Sequence, residues 1–320
     1  MTRLNMKYLF LLFIVFTFAI CSCVSTMPGS KTFNYCYPDY SYTTDSVNLP
    51  YSSIPEEILS DSLLTKQYSI SNINLANATG TLPFIADLAQ LKKQYALNPC
   101  TETEIKILAK KQEIANRLIV CRTETAGIAA ELDCEGERAN QLSTYMSGKE
   151  SNQVNKLTVA SITLGALTAV VAIFIKPQES SDAVAITGGL GSATLGLLSL
   201  SSSRKTEYMH PRNLLTDIWY EPETSKYYPT TIWYMLTHKE FSNNKQYSIC
   251  HNIRERWQEY NQLEDDGSKK TAKQIELLFG SGGVYTSDLL ETRANMLNQL
   301  QASIKLFDQD IQQLLYIINK

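Results

Sequence analysis

Two long runs without a charged residue lie near the middle of the chain. The first covers Leu157–Ile175 and the second covers residues 183–203, and the segment 176–182 between them holds three charged residues. Each run is close to the roughly 20 apolar residues that a helix needs to cross a bilayer. Because the connection is short, two such helices must lie antiparallel and side by side. The sequence therefore predicts a hydrophobic helical hairpin over residues 156–205.

Small side chains recur at every fourth position in both runs. They are Ser161, Gly165 and Ala169 in the first run and Gly188, Ser192 and Gly196 in the second. This spacing is typical of helices whose backbones approach closely within a membrane. We therefore expect these six residues to pack the hairpin on itself or against copies of itself.

The chain begins with the pattern of a secretory signal peptide over residues 1–22. Basic residues precede the uncharged run Tyr8–Ile20, which at roughly 20 Å is too short for a bilayer core of about 30 Å. The run ends in Ile20-Cys21-Ser22-Cys23, which resembles the lipobox of bacterial lipoproteins. The resemblance implies that Cys23, rather than Cys21 after the bulky Ile20, becomes the N-terminus and carries fatty-acyl chains such as palmitate. An ordinary cleaved signal peptide that ends in Cys is the alternative.

A lipid on Cys23 implies that the protein is located in the bacterial cell envelope, where it is anchored to a membrane and faces the periplasm. Both flanks of the hairpin are then periplasmic, yet Lys156, Arg204 and Lys205 lie on those flanks. The positive-inside rule predicts the opposite for an inner-membrane protein. The hairpin therefore either enters another membrane, such as the outer one, which is favoured over the inner, or that of a neighbouring cell, or it does not span a membrane and is a water-soluble hairpin buried beneath its flanking helices.

Five further cysteines follow Cys23, and an odd number in a compartment that permits disulfides leaves at least one free thiol. They are Cys36, Cys100, Cys121, Cys134 and Cys250. Cys121 and Cys134 lie on one predicted helix, about 20 Å apart along its axis, so they cannot pair with each other. The pairing among the five otherwise stays open.

The rest of the chain divides by composition and periodicity. Residues 23–81 are rich in Ser, Thr, Tyr, Asn and Pro, which predicts an extended tether. Residues 82–155 form the first part of a helical stalk, with one helix over 82–97 and a second from Thr101. Residues 206–283 concentrate Trp and Tyr and predict a small aromatic-rich cap, and 284–320 form a C-terminal heptad helix that Ser287 is expected to cap.

Both stalk helices carry an apolar stripe with heptad spacing. The first stripe is Ile114, Leu118, Cys121, Thr125, Ile128, Leu132, Glu135, Ala139, Leu142 and Met146. The second is Leu290, Leu297, Ile304, Ile311 and Ile318, with Leu300, Phe307 and Leu314 three positions further on. Each stripe needs a partner. Packing of the two stripes on each other and self-association of the C-terminal helix between chains are both consistent with the pattern.

Composition excludes several classes of function. With 29 Lys and Arg against 32 Asp and Glu, the formal net charge of −3 does not suit a protein that binds nucleic acid. Three histidines cannot supply a His-rich metal site, and no cofactor signal is present. The glycines of 279–283 lack the lysine of a P-loop, and residues 264–267 lack calcium-loop spacing. We therefore expect no enzyme, no metal and no cofactor, and expect the aromatic residues to be a core rather than a glycan platform.

These observations predict an all-α protein with a coiled-coil stalk, a central Gly-rich hairpin and an aromatic cap. The expected function is that of a structural or scaffolding lipoprotein of the cell envelope. Its expected partners are membrane lipid and a second copy of the chain or another envelope protein. The alternative is a membrane-inserting protein that resembles α-helical pore-forming toxins in architecture, since these also carry a hydrophobic hairpin on long helices.

Overall fold

The computed structural model describes Cys36 and residues 50–51, 53–174, 178–200, 204–260, 263 and 268–320. The predicted signal peptide and Cys23 lie outside these residues. The protein is mostly helical, with 78% helix and 4% strand. Its fold class is therefore mainly α, as the sequence predicts, with a two-stranded sheet that the sequence analysis missed.

The helices and strands follow one another along the chain in this order. They are α1 (Glu56–Ser60), α2 (Ser62–Gln67), α3 (Ile70–Ala78), α4 (Leu82–Leu97), α5 (Thr101–Phe174), α6 (Gln178–Leu200), β1 (Thr206–Met209), α7 (Leu214–Tyr220), α8 (Thr230–Thr237), a 3₁₀ turn (Lys239–Phe241), α9 (Ile249–Glu259), α10 (Lys269–Phe279), β2 (Gly282–Tyr285), α11 (Ser287–Lys305) and α12 (Phe307–Asn319).

Backbone contacts divide the chain into two units. Of the described residues, unit 1 contains 140–208 and 284–291. Unit 2 contains Cys36 with 50–139, 209–283 and 292–320. Helix α5 contributes residues to both units.

The prediction of an extended tether over 23–81 is wrong for residues 56–78, which form α1, α2 and α3 of unit 2. Asp61 accepts a hydrogen bond from the backbone N–H of Leu63, and Ser69 caps α3 in the same way. Leu64 and Ile73 are buried. These helices are too short to show a periodic apolar pattern, so their capping residues are the better signal.

In unit 2, the stripe of α5 from Ile114 to Ala139 and that of α11 and α12 from Leu297 to Ile318 are buried. The side chain of Gln301 donates to Asp133 Oδ1 over 2.8 Å, and Lys111 near the start of α5 donates to the carbonyl of Asn319 at the chain's end. A side chain at Gly136 would lie against Leu297, with its Cβ 3.6 Å from that of the leucine. The contacts therefore pair α5 with α11 and α12 in antiparallel order.

Two details of the C-terminal segment differ from the predicted single helix over 284–320. The helix is interrupted at Leu306, where Gln309 donates to the Leu306 carbonyl in a tighter 3₁₀-type bond. The residue that precedes the helix is Thr286, whose hydroxyl accepts from Leu289, so the predicted capping role of Ser287 is wrong. Ser287 instead donates to Glu150 Oε2 within unit 1.

The aromatic segment of unit 2 supplies a core, as predicted. Trp233 and Trp257 are buried, and Trp219 stacks on Phe279 with ring centroids 4.5 Å apart. Tyr220, Tyr247 and Tyr260 are exceptions, each with more than half of its surface exposed. The rings pack among buried aliphatic side chains such as Leu215, Ile232 and Leu236.

Charged groups of α5 also hold the cap segment within unit 2. The guanidinium of Arg212 donates to both carboxylate oxygens of Glu131, and that of Arg138 donates to Glu135 and to the Met209 carbonyl. Burial raises the pKa of Glu131, and the neighbouring Arg212 opposes the shift. Paired in this way, buried carboxylates satisfy their hydrogen-bonding capacity.

Candidate functional site

Helices α5 and α6 meet in unit 1 through the small residues at positions 161 and 192. The hydroxyl of Ser161 donates to the Ser192 carbonyl over 2.8 Å, and the Ser192 hydroxyl donates to the Ser161 carbonyl over 3.1 Å. A Cβ at Gly165 would lie 3.5 Å from Ser192 Oγ. These reciprocal bonds require the two backbones to be close, which bulkier side chains would prevent.

Glycine is required on α6 at the next contact. A Cβ at Gly188 would overlap the side chain of Thr168, and one at Gly191 would lie 2.9 Å from Leu164 Cδ2. The sequence analysis identified Gly188 but missed Thr168, because a β-branched residue does not belong to a small-residue pattern. The useful signal would have been that Thr168 lies seven residues after Ser161, on the same face of α5.

The six residues predicted to pack the hairpin do not all lie at this contact. Ser161, Gly165, Gly188 and Ser192 are at the contact between α5 and α6. Ala169 is exposed, and no heavy atom lies within 4 Å of a Cβ placed at Gly196. The residues Gln178 to Asp182, predicted to be a loop, begin α6.

The hydroxyls of this segment that do not bridge the helices bond to their own helix. Thr163 donates to the Val159 carbonyl and Thr194 to the Leu190 carbonyl, each over 2.7 Å. Thr168 donates to the Leu164 carbonyl over 2.9 Å. Such back-bonding satisfies a hydroxyl without water, which is how Ser and Thr are accommodated in apolar surroundings.

The apolar side chains of the same two helices face outward. None of the most apolar 18-residue stretch of α5 is buried, and by length and composition this helix is able to cross a membrane. The outward side chains, each more than half exposed, are Val159, Ile162, Leu167, Val170, Ile173 and Phe174 on α5 and Ile186, Leu190 and Leu197 on α6. Large exposed apolar surfaces on proteins commonly mark interaction sites, so these side chains are the candidate functional surface.

Polar side chains hold the base of the hairpin together in unit 1. The Glu150 carboxylate accepts from the backbone N–H of Arg204 and from the Ser287 hydroxyl. The Arg204 guanidinium donates to Gln153 Oε1 over 3.0 Å. One helical turn further from the apolar segment, the Lys149 ammonium lies over the Tyr145 ring, 5.4 Å from its centroid. The polar part of α5 therefore ends at Lys156, and its apolar part begins at Leu157.

Among the described residues, no group of three or more His, Cys, Asp or Glu side chains is arranged to hold a metal ion. Comparison of the chain with protein-family models, with curated proteins and with solved structures finds no match. The chemistry of the described residues is therefore the basis for inferring a function.

The close contact at Gly188 gives a prediction with a built-in control. Gly188→Ala is expected to destabilise the hairpin relative to Gly189→Ala by about 1–3 kcal/mol, because only the first methyl group overlaps Thr168. Both substitutions gain about 1 kcal/mol of helix propensity, which cancels in the comparison. Unfolding in mixed detergent micelles measures the difference. Equal stabilisation by both substitutions would contradict the contact.

Proposed function

We propose that the chain is a lipoprotein of the bacterial cell envelope that contacts a lipid bilayer through α6 and the C-terminal part of α5. Its role is structural: it holds a membrane surface or an envelope assembly in place. Cys23 carries the lipid anchor in this proposal, and the bilayer that receives the hairpin is the outer one rather than the inner.

One observation carries this proposal, namely that a hydrogen-bonded serine pair lies at the contact between the two helices while large apolar side chains face outward. Ser161 and Ser192 bond across the helix contact, whereas Ile162, Leu167 and Leu190 are exposed. A soluble helix pair would place such residues the other way round, because burial of apolar area is its main driving force. In hydrocarbon the order reverses, since unsatisfied polar groups are costly there and apolar side chains face lipid at no cost.

The dimensions of the two helices agree with a bilayer. The uncharged part of α5, Leu157–Phe174, contains 18 residues and is about 27 Å long. The uncharged part of α6 begins at Ala183 and ends at Leu200, which gives the same length. Both approach the hydrocarbon thickness of about 30 Å.

The disulfide between Cys36 and Cys134 supports a place outside the cytoplasm. Disulfides persist in oxidising compartments such as the periplasm and are rare in reducing ones. Among the described residues, Cys100, Cys121 and Cys250 are free thiols. The bond also joins Cys36 to α5.

We further propose that α5 pairs with α11 and α12 as an antiparallel coiled coil. The support is the burial of both heptad stripes together with the bonds from Gln301 to Asp133 and from Lys111 to Asn319. Heptad spacing maintains such a seam over many turns.

Vesicle flotation of the mature chain without its lipid, produced from residue 24, tests the membrane proposal. The wild-type chain is expected to float with phosphatidylcholine vesicles. Leu167→Lys should weaken partitioning about 100-fold, because a lysine at the centre of a membrane helix costs about 2.5–3.5 kcal/mol. Leu108→Lys is the matched control, since Leu108 lies on the same helix and is 60% exposed against 58% for Leu167.

Three outcomes separate the proposal from its competitors. A wild-type chain that stays soluble and monomeric in the presence of vesicles contradicts membrane contact and favours a water-soluble hairpin. An equal loss of flotation in Leu108→Lys and Leu167→Lys shows that the effect is not specific to the hairpin. Release of a trapped dye from the vesicles supports the pore-forming alternative over the structural role.

A further inference from the structure

The exposed tyrosines of the aromatic segment lie outside its core, and two of them flank one polar contact in unit 2. Tyr220 ends α7 and is 61% exposed, and Tyr247 lies two residues before the start of α9 and is 51% exposed. The residues that follow them are bonded to each other, since the Ser248 hydroxyl donates to Glu221 Oε1 over 3.3 Å. This bond brings the two tyrosine positions to one region of the surface.

The Tyr247 ring is held in place from one side. It stacks on the ring of His251, with the centroids 4.4 Å apart, and His251 Nε2 lies 3.1 Å from Glu255 Oε1. The backbone N–H of Tyr247 also donates to Asn244 Oδ1 over 3.4 Å. A ring that is already fixed loses little freedom when a ligand binds, so its open face is suited to recognition.

A planar ion pair lies beside the same contact. The Arg254 guanidinium donates to Glu221 Oε2 and to the Trp219 carbonyl. Just over a quarter of each of the two charged side chains is exposed, so the pair presents both donors and acceptors at the surface. The backbone of Glu221 is in the left-handed region, with φ of 46°, which glycine or asparagine adopts more readily. The carboxylate, rather than the backbone, therefore accounts for a glutamate at this position.

The charges of this region balance. Residues 219–224 and 245–256 contain three acidic and three basic side chains, so the surface has no net attraction for an ion. A ligand that fits needs hydroxyl groups, which both donate to Glu221 and accept from Arg254, and an apolar face that stacks on tyrosine. Sugar rings combine these features, because each pyranose has hydroxyls at its edge and C–H groups on its faces.

We propose that Tyr220, Glu221, Tyr247 and Arg254, here called the tyrosine patch, bind a neutral oligosaccharide. Sugar rings stack on the two tyrosines, and their hydroxyls bond to Glu221 and Arg254. The tyrosine patch belongs to unit 2 and the hairpin to unit 1, so this inference goes beyond the membrane contact and does not depend on it.

Isothermal titration calorimetry of the full chain in a neutral detergent tests the proposal with two uncharged probes, cellotetraose and chitotetraose. At least one of them should bind at millimolar concentration or below. Tyr247→Ala should weaken this binding about fivefold, the effect of one aromatic contact. Tyr316→Ala is the matched control, since Tyr316 is also exposed, at 63%, but lies on α12 outside the tyrosine patch, so binding should be unchanged.

Two further measurements test the polar part of the tyrosine patch and the class of ligand. Arg254→Lys keeps the charge but loses the planar fork of donors, so binding should also fall. Circular dichroism of this variant should show the helix content of the wild type, so that the loss is not one of folding. Because the probes are uncharged, their affinity for the wild type should be the same at low and high salt.

The proposal is overturned if neither tetrasaccharide binds at millimolar concentration, or if Tyr247→Ala and Tyr316→Ala act alike. Tighter binding of polygalacturonate that is lost at high salt would show that the tyrosine patch takes an acidic polymer instead. Vesicle flotation of Tyr247→Ala should equal that of the wild type. Failure of this inference and failure of the proposed function are therefore distinguishable.

Discussion

Leu297→Asp is expected to destabilise the protein by more than about 5 kcal/mol, enough to unfold many domains of this size. Leu297 is 1% exposed on α11 and lies where a Cβ at Gly136 of α5 would touch it. Truncating a buried leucine costs about 2–5 kcal/mol, and a buried carboxylate without a partner adds a further penalty. Most proteins have only about 5–15 kcal/mol of stability in total.

The measurement is thermal unfolding followed by helical circular dichroism. Leu306→Asp is the control, because Leu306 lies in the same segment between α11 and α12 and is 50% exposed. A change at such a position is expected to shift stability by no more than about 0.5 kcal/mol. A wild-type unfolding temperature for Leu297→Asp would show that the stripe is not buried in solution.

Periodicity explains which parts of this fold were predictable. A seven-residue apolar repeat requires a cover for one helix face, and the structure buries that face at Ile114, Leu118 and Ile128 on α5 and at Ile304 and Ile311 on the C-terminal helices. The repeat does not identify the surface that packs against this face. A helix of the same chain and a helix of a second copy of the chain both satisfy the pattern. That decision depends on contacts between distant residues.

Short elements were missed because they contain too few residues to show a period. The helices α1 to α3 contain 5, 6 and 9 residues, and β1 and β2 contain 4 each. Their formation depends on tertiary contacts. For example, the Asn77 side chain of α3 bonds to the Tyr234 hydroxyl and to the backbone of Tyr51. Propensity alone does not report such contacts.

The candidate site, like the fold, was predictable from the sequence only in part. Absence of charge indicated the two helices, and the spacing of small residues included Ser161, Gly165, Gly188 and Ser192, which lie at the contact. The same spacing also included Ala169 and Gly196, because a period of four drifts away from a helix face that turns every 3.6 residues. The partner of Gly188, Thr168, requires the register between the helices, which the sequence does not fix.

Removal of the disulfide between Cys36 and Cys134 is expected to cost about 4 kcal/mol. The two cysteines are 98 residues apart, and closing a loop of about 100 residues restricts the unfolded chain by roughly 4.7 kcal/mol in the chain-entropy model. The sequence excluded a bond between Cys121 and Cys134 because both lie on α5, but it did not identify Cys36 as the partner. Both members of the observed pair belong to unit 2.

Urea unfolding of Cys36→Ser/Cys134→Ser and of the oxidised wild type measures this cost. A reducing agent should lower wild-type stability by the same amount and leave the double variant unchanged. Cys100→Ser is the control for thiol loss, since Cys100 is a free and exposed cysteine. Because disulfides persist mainly in oxidising compartments, a wild type insensitive to reduction would count against both this prediction and the proposed location outside the cytoplasm.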